Sequence, residues 1–86
     1  MKYNLQLKSV YLDAVESQLR NNNPPETRET LERLREEGLS EDDAKLLIAS
    51  AIAAESYFIL KSRTEFNLER FVRNLKRLPD QSFDSE

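Results

Sequence analysis

Apolar residues along this chain recur mainly at helical spacing. Leu12, Val15 and Leu19, with Tyr11 beside them, predict a first helix over about Ser9–Arg20. Before it, Tyr3, Leu5 and Leu7 alternate with Lys2, Asn4, Gln6 and Lys8, which is strand spacing. A single strand has nothing here to pair with, so residues 2–8 are expected to be an extended lead-in or the start of the helix. Asn21, Asn22 and Asn23 break the pattern, and Pro24 and Pro25 prevent its continuation. A second helix is predicted with Asn23 as N-cap, Pro24 in the first helical position and Glu26 at N3. It runs to about Glu37 and turns Thr27, Leu31 and Leu34 inward. Gly38, the one glycine, stands where a left-handed residue ends a helix.

Leu39 turns the corner, and Ser40 with Asp43 three residues on is a capping box. Glu41, Asp42 and Asp43 then suit the positive end of a third helix, predicted over 41–61. Ala44, Leu47, Ile48, Ala51, Ile52, Phe58 and Ile59 define one face, while Ala49, Ala53, Ala54 and Tyr57 leave the other sides small or apolar. A helix nonpolar nearly all round should be surrounded, so it is the expected central element. After Thr64, Glu65 and Phe66, Asn67 is a candidate N-cap. Leu68, Phe71, Val72, Leu75 and Leu78 then form the cleanest amphipathic stripe of the chain, and Pro79 ends it. The last residues, Asp80–Glu86, are acidic and almost without apolar groups, and are expected to be disordered. The pattern therefore predicts an all-α, compact four-helix bundle-like domain over 1–79 and a flexible tail over 80–86.

Composition narrows the chemistry. With 86 residues, 38% hydrophobic and 34% charged, the chain makes one domain and is too apolar to stay disordered. It has no cysteine and no histidine, which excludes thiolate or histidine catalysis and the usual zinc sites. No cofactor or metal is expected. The opening MKYNLQLKS lacks the apolar run of a signal peptide. The most apolar stretch, Ala44–Leu60, contains Lys45 and Glu55 and falls short of the roughly 20 residues a membrane span needs. A cytoplasmic protein without a membrane partner is expected.

Charge is unevenly placed. Glu26–Asp43 holds eight acids against three arginines, whereas Lys61–Arg77 holds six bases against two acids. Arg70, Arg73 and Arg77, with Lys76 beside them, form a basic face on the fourth helix that could meet phosphates. The whole chain is acidic at −3 and no aromatic alternates with these bases, so nucleic acid is not the expected partner. Glu55 is the other candidate, a carboxylate on a nearly uncharged helix. It calls for an ion pair or hydrogen bond, with an Arg of the fourth helix or the Glu16–Gln18 region, or else a raised pKa. Glu16 and Glu55 are the only plausibly inward acids, too few to hold a transition metal. Glu41, Asp42 and Asp43 lack the ligand spacing of a calcium loop.

Several stretches carry a family resemblance: A-V-E-S-Q-L at Ala14–Leu19, N-P-P-E-T at Asn23–Thr27 and L-E-R-L-R-E-E-G-L-S at Leu31–Ser40. A-K-L-L-I at Ala44–Ile48, A-A-E at Ala53–Glu55, F-N-L-E-R-F at Phe66–Phe71 and L-K-R-L-P at Leu75–Pro79 complete it. In these the chain resembles a family of small bacterial helical proteins whose biochemical role is not established. The resemblance covers roughly three quarters of the chain and implies a compact helical bundle; the histidines common among those proteins have no counterpart here. The corner L-x-x-L-x-x-E-G-L-S-x-x-x-A at Leu31–Ala44 is also similar to the first corner of ubiquitin-associated domains, although the third helix is too long for that fold. The expected function is a non-enzymatic protein–protein interaction or structural module. A homodimer is in keeping with so small a core, with Tyr57, Phe58 and Phe71 as candidate interface residues. The alternatives are a carboxylate-based enzyme or ligand site at Glu55 with Glu16, and nucleic-acid binding through the fourth helix.

Overall fold

The chain is seen in a computed structural model that describes residues 5–85. Four helices follow one another: α1 (Leu5–Asn21), α2 (Pro25–Glu36), α3 (Glu41–Ser62) and α4 (Leu68–Arg77). The alternating lead-in is helical from Leu5 on, and its residues 2–4 lie outside the described part of the chain. No strand is present among the described residues. α3 packs against all three other helices, as its apolar composition predicts, and α2 also touches α1 and α4. α1 and α4 do not meet, so the arrangement is a bundle built around α3 and α2.

Each early helix stops in the same way. Asn22 at the end of α1 has φ 49°, Gly38 after α2 has φ 104° and Arg63 after α3 has φ 54°. After α2 the Gly38 N–H donates to the Arg35 carbonyl and the Leu39 N–H to the Leu34 carbonyl, which satisfies two carbonyls at the helix end. The Asn22 N–H and Asn23 N–H do the same with the Leu19 and Gln18 carbonyls after α1. Asn23 thus donates its N–H to the end of α1, and the extended residue that precedes α2 is the next one. Pro24 takes the N-cap position with an extended backbone and no side-chain bond, Pro25 opens the helix, and Glu26 moves to the second turn position. This corrects the expected Asn23 cap by one residue. The other two caps stand as read: Ser40 Oγ accepts from the Asp43 N–H at 3.1 Å, and Asn67 Oδ1 from the Arg70 N–H at 3.0 Å.

The core collects Val15 and Leu19 of α1, Leu31 and Leu34 of α2, Ala44, Ile48, Ala49 and Ala51 of α3, and Phe71, Leu75 and Leu78 from α4 and its end. Two predicted burials fail. Leu68 is half exposed at the first position of α4. α3 is surrounded only over its first turns, and every residue from 60 to 69 is exposed. Residues 80–85 depart furthest from expectation. Phe83 packs against the core and the rest bond to α3 and α4, so the acidic segment is docked where disorder was expected. Glu86 lies outside the described residues.

Candidate functional site: a buried ion pair and the segment laid over it

α3 and α4 bring Glu55 and Arg70 together inside the fold. Asn67 starts α4 so that Arg70 comes one turn in, and the Asn67 N–H itself donates to Glu55 Oε2 at 2.9 Å. Arg70 Nε donates to Oε1 and Nη2 to Oε2, both at 2.7 Å. Both side chains are more than nine-tenths buried. Planar guanidinium and carboxylate meet in the two-point geometry that makes such pairs strong. Burial pushes the Glu55 carboxyl up, but hydrogen bonds from Arg70 and Asn67 and the guanidinium charge together outweigh it. The group is held below its ordinary value and remains ionised. The same bond to Glu55 raises Arg70, against the opposing effect of burial. Phe58 completes the surround, its ring centroid 5.4 Å from the Arg70 guanidinium carbon.

This settles where several expected site residues lie. Glu55 is paired with an arginine of α4, the first of the two environments its sequence allowed. Both of its oxygens are engaged and its surface is sealed, which leaves no proton to give near neutrality and no face open to a substrate. Glu16 is not beside it. It is an exposed residue of α1 bonded to Lys45 at 3.0 Å, ten residues and about 15 Å of helix from Glu55. A two-carboxylate site made of Glu16 and Glu55 is thus excluded. Lys45 also reaches Glu41 at 3.2 Å, and its bond to Glu16 is the main reason its pKa is raised. This cluster borders an open groove of about 440 Å³ between α1 and α3, with Leu12, Asp13, Asp42 and Leu46 on its walls. Among the described residues no group of three or more acids is placed to hold a metal.

The basic face of α4 is largely spoken for. Arg70 is consumed by Glu55, Arg73 Nε lies 3.4 Å from Asp84 Oδ2, and Arg77 Nη1 donates to the Ser82 carbonyl at 2.8 Å. Of the four, Lys76 alone is both exposed and without a hydrogen bond or ion pair among the described residues. The segment that covers this face is anchored by Asn74. This fully buried amide bonds both the N–H and the carbonyl of Asp84, at 2.7 and 3.0 Å. Arg70 Nη1 adds a bond to the Ser85 carbonyl at 3.3 Å. Asn74 escaped the sequence reading, although a neutral amide between Phe71 and Leu78 on an apolar stripe was the visible signal.

The three candidate interface residues separate. Phe71 is wholly buried and is a core residue, stacked at a tilt on Phe66 with ring centroids 5.7 Å apart. Phe58 is half-buried over Arg70, and Tyr57 alone is exposed, with Lys61 over its ring. Leu60, Phe66 and Leu68 join it on the surface. No helix is long and apolar enough to cross a membrane.

Fold and site together define an all-α four-helix domain with a buried carboxylate–guanidinium pair at the α3–α4 junction. No family model matches the chain, and neither does any curated protein or solved structure.

Proposed function

We propose that the chain is a non-enzymatic protein–protein interaction module that associates with a second copy of itself through the α3–α4 corner. The observation that carries this reading is the run of large exposed side chains over residues 57–68. Tyr57, Leu60, Phe66 and Leu68 are 57%, 80%, 52% and 48% exposed. The corner also holds Lys61, Arg63, Glu65 and Glu69, which make no ion pair among the described residues. Bases and acids in equal number around apolar side chains suit a two-fold interface, where each residue of one copy meets its counterpart's neighbour.

Magnitudes set the strength to expect. Covering an apolar side chain of this size gains about 1.5–3 kcal/mol, of which roughly half is still available at these exposures. Four side chains from each of two copies therefore gain on the order of 10 kcal/mol. Association itself costs an estimated 4–15 kcal/mol. The balance is a weak dimer, with a Kd in the micromolar to millimolar range. Light scattering and sedimentation at about 0.01–1 mM protein should show a mass that rises with concentration toward twice 10.1 kDa. Leu60→Asp should abolish the rise without changing the helical circular dichroism. A monomer across that whole range would overturn the reading.

A further inference from the structure

Residues 80–85 form neither helix nor strand, yet the domain grips them by their main chain. At the centre, Asn74 accepts from the Asp84 N–H and donates to the Asp84 carbonyl, the pairing that a neighbouring strand would supply. On one side of it Arg77 donates to the Ser82 carbonyl, and on the other Arg70 donates to that of Ser85. Residues 70, 74 and 77 share one helix face, so the segment runs antiparallel to α4. Phe83 turns into the core edge, and Asp84 meets Arg73.

The side chains of the clamp all belong to α4. Arg70 has Nε and Nη2 fixed on Glu55, which leaves Nη1 as the one guanidinium nitrogen aimed at the segment. The buried ion pair thereby acts as a positioning device for a surface donor. Asn74 sits in mid-helix among core residues, and both ends of its amide are matched only by the segment. Lifting the segment off would return that amide to water and uncover the seat of Phe83, so an extended chain with an aromatic side chain gains apolar burial here. Main-chain bonds tolerate many sequences. Selectivity comes from the aromatic seat and from Arg73, which meets the carboxylate that follows it.

We propose that this face of α4 is a binding site for an extended segment of another protein, carrying an aromatic residue followed by an acid in the manner of Ser82-Phe83-Asp84-Ser85. The chain's own residues fill it in cis as a built-in competitor. This surface is distinct from the 57–68 corner and its test does not depend on self-association.

A tethered segment competes at an effective concentration on the order of 1 mM. An incoming segment of about 0.1 mM intrinsic Kd would thus bind the intact chain about tenfold more weakly than a chain whose own segment is loosened. The test is a fluorescence-anisotropy titration with a labelled, end-capped peptide of residues 80–85. Phe83→Ala should bind it at least about tenfold more tightly than the unaltered chain, and adding Arg77→Gln should reverse several-fold of that gain. A peptide with Ala in place of its Phe should not bind. Where Phe83→Ala fails to fold, Asp84→Lys loosens the segment from the surface side and serves in its place. Equal affinity of loosened and unaltered chains, or equal binding of the Ala peptide, would overturn the proposal. So would a dimer of the unaltered chain that the free peptide dissociates, because the occupant would then be a second copy's own segment.

Discussion

Glu55 and Arg70 meet edge to edge, with two hydrogen bonds of 2.7 Å between a carboxylate and a guanidinium that are both buried. A pair like this is weak evidence for stability, since desolvation of two charges offsets much of their attraction. Breaking it is another matter, because the remaining charge is stranded. Glu55→Ala should cost roughly 3–5 kcal/mol. A domain of this size holds on the order of 4–13 kcal/mol in total, so the melting temperature should fall by 15 °C or more. Replacing both partners at once, Glu55→Met with Arg70→Met, should recover most of the loss, as urea unfolding of the two variants beside the unaltered chain will report. A double variant as unstable as the single one would mean that the pair itself stabilises the fold.

Acid should attack the same pair. The Glu55 carboxyl is held below its ordinary value in the folded chain, and so is Asp80, chiefly through its bonds from Ser82. A depressed folded pKa means that the unfolded chain takes up protons first as pH falls. Their stabilising effect is complete above the unfolded values and is lost below about pH 4.5 as the folded groups titrate. Lys45 is shifted the other way, so its contribution is complete below about pH 10.5 and fades as pH rises past it. With no histidine to titrate between them, melting temperature should be flat from about pH 6 to 9 and fall on the acid side. Glu55→Gln should flatten that acid limb.

Two left-handed positions give opposite expectations. Gly38 at φ 104° has open space where a Cβ would stand, so Gly38→Ala meets only backbone strain. It should destabilise by about 1–2 kcal/mol. Arg63 already bears that strain at φ 54°. Arg63→Gly relieves about 1–2 kcal/mol and gives back about 0.4–1 kcal/mol to the freer unfolded chain, for a net gain near 0.5–1 kcal/mol. Thermal melts of the two variants should therefore shift in opposite directions.

What was legible in the sequence follows from how local the cause was. Gly38, Ser40 and Asn67 act on atoms a few residues away, and each does what its type announces. Arg63 announces nothing, because an arginine is held left-handed only by the corner it must turn. The α2 cap was misplaced by one position because either of two successive prolines can open a helix, and it is Pro25 that does so, with Pro24 extended before it. At the site, burial of Glu55 and its need for a partner could be read from an uncharged helix. That the partner is Arg70, and that Asn74 and Arg70 then grip residues 84 and 85, depends on the α3–α4 packing. The acidic segment looked solvated because its composition hides a main-chain attachment, to which only Phe83 gives a clue.

The α2 arginines are the last case, and they separate two explanations that sequence leaves merged. Arg33 faces Glu37 at i, i+4 on a helix rich in charge, which by itself suggests a simple surface pair. Its guanidinium also crosses to the end of α4, where Nη1 donates to the Leu78 carbonyl at 2.8 Å and Nη2 to that of Leu75 at 3.0 Å. Arg28 does the same for the Leu19 carbonyl near the end of α1. Terminal carbonyls lack helical partners, and a cation is favoured there. Glu37→Gln removes only the exposed pair and should cost 0–0.5 kcal/mol. Arg33→Lys keeps the charge, but a compact ammonium cannot span two carbonyls as the planar fork does. It should cost about 1–2 kcal/mol and speed amide exchange at the end of α4, which hydrogen-exchange mass spectrometry will resolve. Equal losses from the two variants would assign Arg33's contribution to the ion pair and leave the carbonyl bonds without weight.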